Sequence, residues 1–275
     1  MIRKPCVSGL FYASDKDLLK ENIKSYYDSI SIDKEHHEIV AGITPHAGYI
    51  YSGLTACYTF KQLEDNIPET FVILGPNHTG YGTNVDACDY DKWETPLGLI
   101  DVDSEFVDEL LKVDENVCID NTAHIKEHSI EVEIPFIQYI CGEKPVKIVP
   151  LVISRQIPQL CDKLASSIKT VSEKLNRKIV IIASTDLTHY EDSKTAKYYD
   201  TKVMNSVNDM NSNQLVKDII DYDISMCGYG PTICAIEYSK LSNANNSNVL
   251  KYSNSGDVSG DYDSVVGYMS AVISK

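Results

Sequence analysis

Three histidines follow apolar runs in the same way. "EIVAGIT" (38–44) passes into Pro45-His46, "TFVILG" (70–75) into Pro76-Asn77-His78, and "KIVIIAST" (178–185) into Asp186-Leu187-Thr188-His189. Imidazole is the commonest transition-metal ligand among side chains and titrates near neutrality, so residues so placed can hold a metal or move protons. A lone histidine after a strand is more often a hydrogen-bonded loop residue. Three at equivalent positions ask for one explanation.

A metal needs a further donor, for which Asp186, Glu131 and the cysteines are candidates. Cys227 stands out among the thiols. "MCGYGPTICAIEYSKL" reads as a glycine loop entering a helix, with Pro231 suited to its first turn. A thiolate just before a helix N-terminus is favoured by the dipole, although a small loop residue would fit as well. Cys234, inside that helix, reads as core. Among the other histidines, His128 has a stronger claim than His124, because "EHSIE" places it beside Glu127 and one helical turn from Glu131. His36 and His37 sit in a charged, solvated stretch. Tyr49 and Tyr51 are placed to line the mouth of a site at His46.

Other chemistries fit less well. Cys227, His189 and Asp186 suit a thiol hydrolase by residue type, but no nucleophile elbow GxSxG occurs. "TGYG" (79–82) and "GYG" (228–230) are two-glycine fragments without a Walker or Rossmann fingerprint.

The elements that must position these residues follow from pattern. The runs 38–44, 70–75, 146–153 and 178–185 are apolar without alternation, as strands of a parallel sheet covered on both faces are. Helical spacing marks 15–29, 53–64, 103–112 and 157–175, the first opened by a Ser14/Asp17 capping pair. "EHSIEVEIPFIQYI" reads as a helix kinked at Pro135. The runs 248–255 and 264–274 alternate more and predict an antiparallel pair. The expected fold is a single α/β domain over 1–275, a three-layer sandwich around a largely parallel mixed sheet. Ligand sites in such sheets gather at the carboxyl edge, where His46, His78 and His189 should meet.

Composition narrows the partners. With 25 Lys and Arg against 40 Asp and Glu, the net charge of −15 disfavours nucleic acid and anionic membranes. Eight cysteines stand singly without a CxxC pair, which argues against a disulfide framework or zinc knot. With no signal peptide or transmembrane run, the expectation is a cytoplasmic protein with reduced thiols.

"SGLFYASDKDLL", "ITPHAGYIYSG", "VILGPNHTG", "EHSIEVEIPF", "STDLTHY" and the "CG" of "MCGYGPTIC" together give the chain, over nearly its whole length, a resemblance to the Memo family. That family is similar in fold to the class III extradiol dioxygenases, non-haem Fe(II) enzymes with two histidines and a carboxylate on the metal. The resemblance implies a mononuclear Fe(II) or copper ion on His46, His78 and Cys227. It implies His189 as acid/base, with Asp186 orienting its ring and His128 in the same pocket. It also implies a small-molecule substrate, and radical-SAM and AMMECR-type partner proteins. A thiolate in place of the carboxylate softens the site toward Cu(I), so ring cleavage does not transfer with the fold. The activity expected is a metal-dependent oxidoreductase. The rival is a non-catalytic protein that binds metal or a partner peptide in the same cleft.

Overall fold

The computed structural model describes residues 1–33 and 37–275, so His36 lies outside the described residues. At its centre the strands Lys147–Ile153, Thr70–Pro76, Ile179–Ser184 and Ile39–Thr44 lie side by side in that order, all parallel. Every residue of the last three is buried, which explains why their sequences lack alternation. Gly98–Val102 continues the sheet in parallel beside Lys147–Ile153, followed by Lys92–Thr95 and Ile2–Arg3. On the other side Val265–Ser274 runs antiparallel to Ile39–Thr44 and pairs with both Asn246–Asn254 and the short His189–Glu191. The predicted C-terminal antiparallel pair is therefore present. With Val85–Ala87 and Val117–Ile119, twelve strands form one mixed, largely parallel sheet among the described residues.

Helices flank this sheet. Tyr49–Leu63 packs on Ile39–Thr44 and Val265–Ser274, with Lys16–Ser29 and Ile134–Cys141 against it. Tyr229–Leu241 packs on the strands 39–44, 70–76 and 179–184, and Pro158–Lys174 lies against that helix. The helix expected at 53–64 begins earlier, at Tyr49, whose N–H donates to the Phe11 carbonyl at 2.7 Å. The first helix is capped by Asp15, not Ser14, because its carboxylate reaches the Leu18 N–H at 2.9 Å. Pro135 does not kink a helix. A 3₁₀ turn at Glu131–Glu133 precedes the helix Ile134–Cys141, and Pro135 sits in its first turn, where a missing N–H costs nothing. The helices Ser193–Asn208 and Ser212–Tyr222 were not marked by the sequence pattern.

Two features of the sheet matter for the site. Strand Ile179–Ser184 inserts between Ile39–Thr44 and Thr70–Pro76, while the chain from Thr70–Pro76 continues to the opposite neighbour, Lys147–Ile153. Connections thus diverge there, which opens a crevice at the carboxyl edge. The register also pairs Thr44 with Ser184 and Leu74 with Ala183, so the three strands end within one residue of one another, Thr70–Pro76 reaching furthest.

The N-terminal segment is pinned beneath this edge by a buried ion pair, Arg3 with Glu131. Arg3 lies over the Trp93 ring at 4.2 Å and donates to the carbonyls of His124 and Glu127, each at 2.8 Å. Glu131 also accepts from the N–H groups of Cys6 and Val7, at 2.8 and 3.0 Å, and from the Tyr12 hydroxyl at 2.7 Å. Its oxygens are fully engaged, which removes Glu131 as a candidate metal donor. Glu131→Ala leaves the Arg3 charge buried and unpaired, so urea unfolding should show a loss of about 3–5 kcal/mol.

Candidate metal centre

His46, two residues beyond Thr44, is buried. Its N–H donates to Asp186 Oδ1 at 2.9 Å, and its Nδ1 lies 2.8 Å from the Ser184 hydroxyl, so Nε2 is the ring atom left for another partner. His78 lies at the exposed rim, two residues beyond Pro76. One carboxylate, Glu127, arranges both His78 and His128. It accepts the His78 N–H at 2.6 Å and faces His78 Nδ1 at 2.9 Å, and it accepts the N–H groups of His128 and Ser129, both at 2.9 Å. The His128 ring stacks on His78 at 4.6 Å and meets the edge of His46 at 5.4 Å, with Phe11 at 4.8 Å.

His46, His78 and His128 each offer a ligand atom, all within 4.8 Å of one another. These three histidines can bind a metal. Burial holds the His46 pKa well below the usual imidazole range and brings His128 down to about 4 despite Glu127. Both are therefore neutral at pH 7 and keep a lone pair for a cation. Hydrogen bonds at Nδ1 of His46 and His78 leave Nε2 free, the arrangement by which outer partners orient metal-binding imidazoles.

Cys227 reaches the same place from the loop before Tyr229–Leu241. Its Sγ lies 3.2 Å from His46 Nε2 and accepts the Asp186 N–H at 3.2 Å. The approach is close enough that a Cβ on Gly228 would fall 2.4 Å from the Ser184 carbonyl oxygen, so that position requires glycine. Gln156 clamps the loop, donating to the Cys227 carbonyl at 2.7 Å and accepting from the Gly230 N–H at 2.6 Å. The helix dipole does not yield a thiolate here. Burial, then the nearby Asp186 carboxylate, push the thiol pKa well up.

Asp186 is buried, and burial raises its pKa to about 6 against the His46 N–H. His189 is half-buried, with its N–H on the Ser225 hydroxyl at 2.8 Å and its Nδ1 against the Ser225 carbonyl at 2.9 Å. The His189 ring is thus oriented by Ser225, not by Asp186. Tyr49 does not line the mouth: it is buried, its hydroxyl donates to the Val132 carbonyl at 2.7 Å, and its ring stacks on Phe136. Tyr51 is exposed. His124 is buried, with Nε2 at 2.9 Å from the Asp86 carbonyl. All eight cysteines are free, and five are buried. Sequence reasoning missed Ser184, Ser225, Gln156 and Phe11. The hydrogen bonds of the first three to the site span 138, 36 and 71 positions, a range at which local pattern carries no signal.

The family profile described as Memo-like protein matches residues 3–272. The chain belongs to the Memo family. It is 39% identical to a MEMO1 family protein of Methanobrevibacter smithii and 40% identical to one of Methanocaldococcus jannaschii, covering 99% of both chains in each case. Its fold is similar to the crystal structure of an uncharacterised Escherichia coli K12 protein, with a TM-score of 0.55 and 13% identity over 86% of this chain and all of that one. At that identity the likeness concerns fold alone.

Glu127 is a buried carboxylate beside His78 and His128. Burial raises its pKa, but His78 and the N–H groups of His78 and Ser129 outweigh that and bring it from 4.5 to about 2. Its folded pKa is depressed, so its stabilisation is present above pH 4.5 and lost as pH falls toward about 2. Acid titrations of stability for wild type and Glu127→Gln should diverge in that window by on the order of 3 kcal/mol.

Proposed function

We propose that this Memo-family protein binds one mononuclear metal ion, Fe(II) or copper, through His46, His78 and the Cys227 thiolate. His128 borders the ion as a further imidazole. The carrying observation is the convergence of three imidazole ligand atoms within 4.8 Å of one another, with Cys227 Sγ 3.2 Å from His46 Nε2. Neutral imidazole with thiolate is a soft donor set, which suits Cu(I) better than a carboxylate site would. A reducing, cytoplasmic setting keeps Cys227 available as a thiol.

The activity that fits is a metal-dependent oxidoreductase acting on a small molecule. A bound metal supplies Lewis-acid and one-electron chemistry. The chain supplies proton handling. His189, with Nδ1 held on the Ser225 carbonyl, keeps Nε2 to take or give a proton. Asp186, with its pKa near 6 and its oxygen on the His46 N–H, fixes that histidine's backbone.

Elemental analysis of anaerobically reconstituted protein tests this reading. Wild type should hold one equivalent of metal, and His46→Ala and Cys227→Ala should each lose it; equal metal in all three defeats the proposed ligands. Because the Cys227 thiol is neutral without metal, binding should release a proton. Affinity should therefore rise about tenfold per pH unit below the thiol pKa. Metal uptake without any oxygen- or substrate-dependent turnover would leave metal binding in place and remove the enzymatic reading.

A further inference from the structure

The Ser184 hydroxyl has three polar neighbours beneath His46. They are His46 Nδ1 at 2.8 Å, the Ser129 carbonyl oxygen at 2.6 Å and Glu133 Oε1 at 2.8 Å. A serine hydroxyl owns one proton and two lone pairs. The Ser129 carbonyl can only accept, and its contact is the shortest, so the Ser184 proton belongs there. Both remaining partners must then bring a proton of their own, His46 as Nδ1–H and Glu133 as a carboxylic acid. The other assignments fail on the same count. If Ser184 donated to His46 or to a Glu133 carboxylate, its oxygen and that of Ser129 would face each other at 2.6 Å with no proton between them.

The surroundings of Glu133 agree. Its residue is fully buried, and among the described residues no Lys or Arg pairs with it. Its second oxygen makes no hydrogen bond of good geometry there, and the polar group beside the carboxyl other than Ser184 is the uncharged Thr44 hydroxyl. The charged group acting on it is Asp186, an anion. An ionised carboxylate in that position would face hydroxyls and an anion but no cation, whereas a neutral acid loses little.

We infer that Glu133 is a neutral acid and a positioning residue, holding His46 through Ser184 as the Nδ1–H tautomer with its Nε2 lone pair turned to Cys227. In the metal-free protein the Cys227 thiol proton meets that lone pair across 3.2 Å. Cation binding there would release the thiol proton alone, because His46 Nε2 already carries a lone pair and the protons of His46 Nδ1 and Glu133 stay in their hydrogen bonds to the Ser184 hydroxyl. The use of the tautomer rests on the metal-site reading. The tautomer itself does not, because the hydrogen bonds that set it exist without metal.

The test combines spectroscopy of the metal-free protein with Cu(I) titration. Ring nitrogen NMR, with His46 assigned from a His46→Gln sample, should show its proton on Nδ1. Infrared difference spectra of wild type against Glu133→Gln at neutral pH should show a protonated carboxyl carbonyl band that the variant lacks. Ser184→Ala removes the acceptor, so His46 should populate both tautomers and Cu(I) affinity should fall about 10–100-fold. Glu133→Gln, whose amide N–H can replace the acid O–H toward Ser184, should keep the tautomer and Cu(I) affinity within about threefold of wild type, well short of that loss. A wild-type His46 with its proton on Nε2, or no carboxyl band, overturns the inference. So does a Ser184→Ala protein with unchanged tautomer and affinity. If Ser184→Ala does not fold, the wild-type and Glu133→Gln spectra still decide. Should wild type show the expected spectra but bind no Cu(I), the metal reading fails and the positioning inference stands.

Discussion

The pairing of Thr44 with Ser184 and of Leu74 with Ala183 is the constraint from which the site follows. Parallel strands whose residues are all buried cannot slip by one position without turning every side chain to the other face of the sheet. Because the register is held, the strands end within one residue of one another, and whatever lies two residues beyond each end shares one edge. His46, His78 and Asp186 occupy those positions. Divergence of the connections around Thr70–Pro76 opens the crevice between them, which leaves room for the loop of Cys227.

Below that edge, four buried carboxyl groups are sorted by what faces them. Glu127 and Glu131 receive N–H groups, a tyrosine hydroxyl or a guanidinium, and their pKa values fall despite burial. Asp186 accepts the His46 N–H and Glu133 faces hydroxyls, but for both the cost of burial outweighs these contacts and raises the pKa. The ionised pair serves as scaffold. Glu127 orients His78 and His128, while Glu131 ties the N-terminal segment to the same turn through Arg3. The raised pair stands next to His46, one at its backbone N–H and one behind Ser184.

Much of this was legible in the sequence. Alternation-free runs followed by proline and histidine are strand ends in a covered sheet, and their repetition identified one edge as the place for chemistry. Element boundaries were less legible where a distant contact sets them. Tyr49 starts its helix because of the Phe11 carbonyl, and Asp15 displaces Ser14 as a cap by reach alone. Pro135 opens a helix instead of bending one because the residues before it fold into a tight turn around Glu131.

The sequence by itself determined the α/β class, the order of the central elements along the chain, the Memo family, and that His46 and His78 stand at strand ends, whereas His189 opens a separate short strand. Each of these is written locally, in residue type and spacing. The tertiary structure alone decided what those residues touch. It placed His128 as close to His46 as a ligand would be, assigned the His189 ring to Ser225, and reversed the expected ionisation of Cys227 by burying it beside Asp186. Contacts between residues 36 to 138 positions apart depend on sheet register and loop closure, and protonation depends on burial, neither of which a linear pattern encodes.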